Sequence, residues 1–416
     1  MLITLVECWL PYGRTEVHVS VPLRNLIGMV EPKETHMDIS PRQIITDSLQ
    51  NPIGSPSLEE IMRRRRKIVV GLDGTLQPTL ASSALSSILE VLQPRDIKGE
   101  DVTVVIGNGL RERSNPDLLS ALKGPQLFQN IRMFEHSRSA GNLRTIGKTS
   151  KGTEVQINRA FLEATTRVAV GEVRLDPFTG MRGAHNLILP ALSGASTIEK
   201  TRSLSFKSDT SPEVMAENPV YDDGLEAARM AEIELSVNLV TDGMGDLLSA
   251  HSGELEKSWE EAVAKVGDSH RVETEGNADV VVVSAGGSRF DYDLYNSIWA
   301  LRNAASVARR GATIILLAEC SEGLGADGLE TLSQVDALPE LRRRYMLGAK
   351  AVHLIKTFSK QKDLVIVSAI PSYLAEPLGL TVERMANEAL SRAYERRRGR
   401  RTLVVTHGCT TIPYTV

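Results

Sequence analysis

The segment EVRLDPFTGMRGAHNLILP (172–190) sets Asp176, Arg182, His185 and Asn186 around Gly180 and Gly183. Carboxylates and histidines carry protons, and glycines let a backbone take unusual angles or approach a ligand closely. Such a set suits acid–base work or ligand binding. A histidine that is merely exposed or hydrogen-bonded explains the same letters, and the residues alone leave both readings open. GNGLRERSNP (107–116) offers a second candidate: its backbone N–H groups could hold an anion where a helix begins, with Arg111 and Arg113 adding charge. It is neither a GxGxxG nor a Walker loop, so a plain strand-to-helix turn reads as well. In SAGGSRFDYDLYNSIWALRNAA (284–305) a glycine pair precedes a helix capped by Asp291 or Asp293. AECSEGLGADG (318–328) carries Cys320, a potential nucleophile that no motif pairs with a histidine, or else a buried thiol. VTHGCTTIP (405–413) places His407 and Cys409 after a final apolar run.

Each of these segments follows a short run rich in β-branched residues. Expected strands are 67–72, 102–106, 167–170, 234–241, 279–284, 312–318, 364–368 and 403–406, with a further strand at the N-terminus. Several are continuous apolar runs, as strands buried on both faces should be. Expected helices between them are 82–92, 116–121, 156–165, 254–265, 293–308, 330–335, 338–347 and 382–395. This alternation predicts an α/β protein with mainly parallel sheets and helices on both faces. Ligands in such sheets sit at the carboxyl ends of strands, which directs attention to 73–79, 107–113, 172–190, 286–291 and 319–325 and to a cleft between domains. A polar break at 271–278 predicts a larger N-terminal domain of 1–275 plus 405–416 and a smaller C-terminal domain of 276–404. The polar stretch 195–220 reads as a loop or a cover helix.

At 416 residues the chain is long for a single core, and 42% apolar with 24% charged residues is an ordinary globular balance. A net charge of −4 and only 4% aromatic residues argue against a nucleic-acid binder. The basic runs 63–67 and 396–401 read as solvated helix ends, with a polyanion patch as the alternative. Three scattered cysteines form neither a disulfide framework nor a zinc spacing, and no metal site is expected. No apolar stretch reaches the roughly 18 residues a membrane span needs, and the N-terminus reads as a strand, so a cytoplasmic protein is expected.

Several segments, in order and spacing, resemble the nickel-pincer lactate racemase family over nearly the whole chain. They are LPYG (10–13), IGKTSKGTEVQINRAFLEA (146–164), the glycine-rich turn ending ILP (188–190), VNLVTDGMGDLLSAHSG (237–253), ADVVVVSAGGSRFDYDLYNSIWAL (278–301), IILLAECSEGLG (314–325) and HGCTTIP (407–413). The resemblance implies a two-domain α/β fold with the active site in an interdomain cleft. It also implies a nickel pincer nucleotide tethered to a lysine through a thioamide, a histidine ligand to nickel, and two histidines as the acid–base pair. At the matched positions this chain departs from that pattern. Arg111 stands for one catalytic histidine and Asp176 for the other; Asn186 stands for the tethering lysine and Arg202 for the nickel-ligand histidine. Gln77 replaces an arginine before a proline, and Asn296 and Trp299 replace a glutamine–lysine pair. The resemblance thus implies the fold while leaving the cofactor without its usual holders, and no cofactor is expected.

Three functions follow as expectations. One is a family protein that has lost pincer chemistry and binds a small carboxylate or phosphate, or partners a catalytic homologue or a second copy of itself, with Gln77, Arg111, Arg113, Asn186, Arg202, Asn296 and Trp299 facing the ligand. Another is a metal-free isomerase or lyase of 2-hydroxy acids using Asp176 or His185 as base. The third is a racemase or epimerase holding an untethered nickel cofactor.

Overall fold

The computed structural model describes residues 4–33, 38–65, 67–111, 113–124, 130–138, 140–207, 217–267, 269–396 and 399–415. Arg66, Arg397 and Arg398 of the two basic runs, and 208–216 of the polar stretch, lie outside the described residues. The chain forms two compact units, one of residues 35–267 and one that joins 1–34 to 268–416.

The 35–267 unit is built on a six-stranded sheet in the order Leu247–Gly253, Leu235–Thr241, Thr166–Val173, Ile68–Asp73, Val102–Gly107, Arg132–Glu135. All neighbours are parallel except the edge strand Leu247–Gly253. The central strand IVVGLD is buried at all six positions, which explains its unbroken apolar run. Its Ile68, Val70 and Leu72 join one core with Leu80, Ala84, Leu85 and Ile88 of the helix Pro78–Leu92. Gly71 points to the opposite face, where an added Cβ would strike Leu187 and Phe161, so the turn 184–187 packs directly on the strand. From Ile68–Asp73 the chain runs outward to Val102–Gly107 and Arg132–Glu135. It then returns to the other side of the central strand with Thr166–Val173. The topological switch therefore lies between Ile68–Asp73 and Thr166–Val173.

The second unit carries a six-stranded parallel sheet in the order Thr381–Glu383, Asp363–Val367, Ala308–Leu317, Ala278–Ser284, Thr402–Val405, Leu26–Val30. One face packs on the helix Ala386–Arg396 and on the hairpin Leu5–Tyr12/Thr15–Pro22, through Val280, Val282, Ile315, Ala389, Leu390, Leu10 and Val19. The other face meets the helix Leu294–Ala305: Gly408 sits so close to Val283 and Ala300 that a side chain there would clash with both. Asp293, not Asp291, caps that helix by accepting from Asn296 N at 2.7 Å. Asp291 instead accepts from Gly13 N, also at 2.7 Å.

The boundaries expected from the polar break need correction at both ends. Residues 1–34 do not belong with the larger unit, because Leu26–Val30 pairs with Thr402–Val405 and extends the second sheet. The terminal 405–416 stays with the second unit as well, where Ile412–Tyr414 pairs with Arg271–Glu273. The expected helix 156–165 is helical only over the single turn Arg159–Leu162; its first three residues end the hairpin strand Glu154–Asn158. Part of the polar stretch 195–220 is the helix Ala195–Ser203. No described helix is long and apolar enough to cross a membrane.

Candidate functional site

Acidic residues close both strands that flank the switch point, and each is matched with an arginine. Glu172 is 2% exposed and accepts from Arg174 Nε at 3.1 Å and Thr241 Oγ1 at 2.6 Å. Arg174 also donates to Thr75 Oγ1 at 3.4 Å, and Thr75 donates from N and Oγ1 to Asp73 Oδ1 at 2.9 and 2.7 Å. The other oxygen of Asp73 is in a close ion pair with Arg182. A third pair joins Asp176 to Arg202, with Nη1 at 3.7 Å from Oδ1. Burial makes an unpaired charge costly, so carboxylates and arginines gathered at one sheet end must neutralise one another.

The short hairpin Leu175–Asp176/Gly180–Met181 carries two of these groups. Gly180 turns it with φ +82°, and Asp176 Oδ1 locks the turn by accepting from Phe178 N and Thr179 N, both at 2.9 Å. Burial alone would raise the Asp176 pKa. The charges of Arg202 and Arg182, helped by the two backbone donors, outweigh it and hold the carboxyl at about 2. Arg202 projects from the helix Ala195–Ser203, and its guanidinium lies 3.8 Å from the centre of the Phe178 ring.

The turn after this hairpin is fastened from below. Asn238 Oδ1 accepts from Ala184 N at 2.8 Å while its Nδ2 donates to Ser258 Oγ at 3.0 Å. Asn186 is 1% exposed and spends its side chain on its own turn, accepting from Gly183 N at 2.9 Å and donating to Leu189 O at 3.4 Å. His185 is 2% exposed and stands edge-on to both Tyr221 and Trp259, at 5.5 and 5.3 Å between ring centres. Burial, with the Arg182 charge adding to it, drops its pKa to about 3, so the ring is neutral at neutral pH. Its Nε2 has no hydrogen-bond partner among the described residues.

The remaining sequence candidates lie on other elements. Gln77 precedes the helix Pro78–Leu92 and donates from Nε2 to Met244 O at 2.9 Å. Arg111 is half-buried in a turn where its N–H donates to Asn108 O at 3.0 Å, and Arg113 is exposed. The following helix Pro116–Lys123 is capped by Asn115, which accepts from Asp117 N. Asn296 and Trp299 belong to the second unit. There Asn296 donates to Asp293 Oδ1 at 2.8 Å, and Trp299 stands edge-on to Tyr295. Cys320 is 3% exposed at φ +54°, and burial pushes its thiol up to about 12, which is unsuited to nucleophilic attack.

The sequence reading did not single out Asp73, Glu172 or Arg174. The signal was an acidic residue near the end of an otherwise buried strand, IVVGLD and TRVAVGEV, which demands a partner. Also missed was Asp223, fully buried, which accepts from the hydroxyls of Thr149, Thr153 and Thr201 and so ties Ala195–Ser203 and Pro219–Met230 to the hairpin Leu143–Lys148/Glu154–Asn158. Among the described residues no group of three or more histidine, cysteine or acidic side chains could hold a metal ion.

Two mainly parallel six-stranded sheets, one with a charged cluster at its switch point, define the class as an α/β protein. The lactate racemase N-terminal domain model matches residues 12–213, and the lactate racemase C-terminal domain model matches 273–412. The chain belongs to the lactate racemase family. It is 26% identical over 324 residues to the lactate racemase of Thermoanaerobacterium thermosaccharolyticum, covering 77% of this chain and 76% of that protein. It is 25% identical over 343 residues to the lactate racemase of Lactiplantibacillus plantarum, covering 80% and 79%. The solved apoprotein of the former superposes with a TM-score of 0.82 at 21% identity, covering 98% of this chain and 100% of that one. A Thermotoga maritima protein superposes at 0.70 with 13% identity, covering 92% and 100%.

Proposed function

We propose that this chain is a lactate racemase family protein that works without a tethered nickel pincer and binds a small anion, a carboxylate or a phosphate. The observation that carries the reading is the buried Asp176–Arg202 pair. It occupies two positions where the family resemblance implies a catalytic histidine and a histidine bound to nickel. A guanidinium has only donors and offers no lone pair to a metal. Asn186, at the position of the tether, has no amine to carry a thioamide, and both ends of its amide are engaged. The side chains at these positions do not fit the pincer cofactor.

Binding is favoured over metal-free catalysis by the titration of the two candidate bases. A general base works best with a pKa near the operating pH. Asp176 at about 2 and His185 at about 3 both lie far below neutrality. An untethered pincer would need a neutral nitrogen ligand, and His185, the nearest in sequence to the tether position, is enclosed by Tyr221 and Trp259. The test is intact mass, nickel content and lactate interconversion, measured on protein purified from its native host. A bare-chain mass, no nickel and no interconversion are expected. Stoichiometric nickel, an added mass matching the pincer, or racemisation would overturn the proposal.

A further inference from the structure

Each six-stranded sheet ends in two edge strands, and an unpaired edge offers its backbone N–H and C=O groups to another strand. Three of these four edges are blunted. Arg132–Glu135 and Thr381–Glu383 carry charged residues, and Ile53 bridges Leu247–Gly253 at Gly253. The fourth, Leu26–Val30, reads LIGMV, with neither a charge nor a proline. Thr402–Val405 pairs with one side of it, and among the described residues no strand pairs with the other. Apolar side chains gather beside this edge: Leu5, Trp9, Leu23 and Met29 are all exposed, Trp9 at 59%. Leu23 N donates to Thr4 O at 2.9 Å, which sets Leu23 beside Leu5. The Met29 Sδ lies 3.9 Å from the Sγ of Cys8, the chain neighbour of Trp9. Trp9 stands against His18 with ring centres 5.2 Å apart, so it has little side-chain freedom left to lose on docking. An open apolar edge flanked by exposed apolar side chains marks a protein-binding surface.

We infer that Leu26–Val30 pairs antiparallel with the same strand of a second copy of this chain, joining two six-stranded sheets across a twofold axis. The strand is complementary to itself. With Gly28 opposite Gly28, Leu26 faces Val30 and Ile27 faces Met29, so each ladder position sets an apolar or small residue against another. Arg24 precedes the strand and Glu31 follows it, both exposed. Antiparallel pairing brings the Arg24 end of each copy to the Glu31 end of the other, whereas parallel pairing would set like charges together. The axis makes that favourable contact twice. This match of register and end charge selects a second copy over an unrelated strand.

The experiment is sedimentation equilibrium of the full chain at concentrations up to about 100 μM, above the micromolar range of a weak interface. It compares the wild type with Met29→Lys, Arg24→Glu, Glu31→Arg and the double variant that exchanges the two charges. All three substituted side chains are exposed, and thermal melts confirm that each variant is folded. The wild type is expected to dimerise. Met29→Lys, which places a charge on the edge, should weaken the dimer about tenfold or more. Either single reversal should weaken it about fivefold, and the double variant should recover the wild-type affinity. A wild type that stays monomeric throughout the range would overturn the inference. A dimer left intact by Met29→Lys would also overturn it, because another surface would then hold the copies together. Single reversals without effect, or a double variant no tighter than the singles, would overturn the antiparallel pairing.

Discussion

Replacing Asp176 by asparagine keeps the size of the side chain and an acceptor for Phe178 N and Thr179 N, and removes only the charge facing Arg202. At 3.7 Å, with an effective permittivity of about 20, Coulomb's law gives roughly 4 kcal/mol for the pair. Stranding one member of such a buried pair typically costs about 3–5 kcal/mol, whereas replacing both by apolar groups is often neutral. Asp176→Asn and Arg202→Met should each destabilise by that amount, and the double variant should cost clearly less than their sum. The carboxyl also has a pH signature. Its pKa is lowered from 3.8 to about 2, so its stabilisation is complete above the ordinary value and disappears as pH falls toward 2. That difference is worth about 2 kcal/mol. The assay is urea denaturation followed by the fluorescence of Trp259, with Trp9→Phe and Trp299→Phe in the background so that the signal reports only the 35–267 unit. Additive single costs, or an Asp176→Asn variant that loses stability between pH 4 and 2 as steeply as its parent, would refute the argument that this pair is a coupled unit.

Other consequences can be checked with less effort. His185 is held neutral, with its pKa lowered from 6.5 to about 3, so it subtracts stability as pH falls below 6.5. His185→Phe should reduce the acid-side loss in urea titrations by up to about 5 kcal/mol, and an unchanged profile would mean that the ring is not buried as described. Asn186→Lys, which restores the residue type of the family tether, should fail to bring nickel into the protein by metal analysis. It should also destabilise by at least about 1–3 kcal/mol, because Gly183 N loses its acceptor. At pH 8 a disulfide reagent should modify the half-exposed Cys409 and spare Cys320 and Cys8, whose thiols burial pushes up. Rapid labelling at Cys320, read by peptide mass, would contradict its burial.

The sheet strands were legible because a strand buried on both faces must be apolar at consecutive positions, as IVVGLD and ADVVVVS are. The helix Pro78–Leu92 announced itself by its spaced apolar residues, and Asn115–Pro116 by a capping residue before a proline. The segment 156–165 misled because its apolar residues satisfy either period. Only pairing with Leu143–Lys148 decided that Glu154–Asn158 is extended. The helices Pro41–Gln50, Pro219–Met230 and Ala349–Ser359 also went unassigned, their apolar faces being short or interrupted by charge.

Chain order determined which segments follow strands, and hence that Asp73, Arg111 and the 172–190 turn lie at strand ends. It also carried the family resemblance and the identity of each side chain at the matched positions. What it could not determine was who meets whom. That Arg182 goes to Asp73 and that Asn186 turns back on Gly183 depend on strand order and on a hairpin held by backbone hydrogen bonds. The same holds for the N-terminal strand Leu26–Val30, which joins Thr402–Val405 across nearly the full length of the chain. Periodicity is a local property of the chain, whereas charge pairing and sheet membership are set by distances that exist only once the chain has folded.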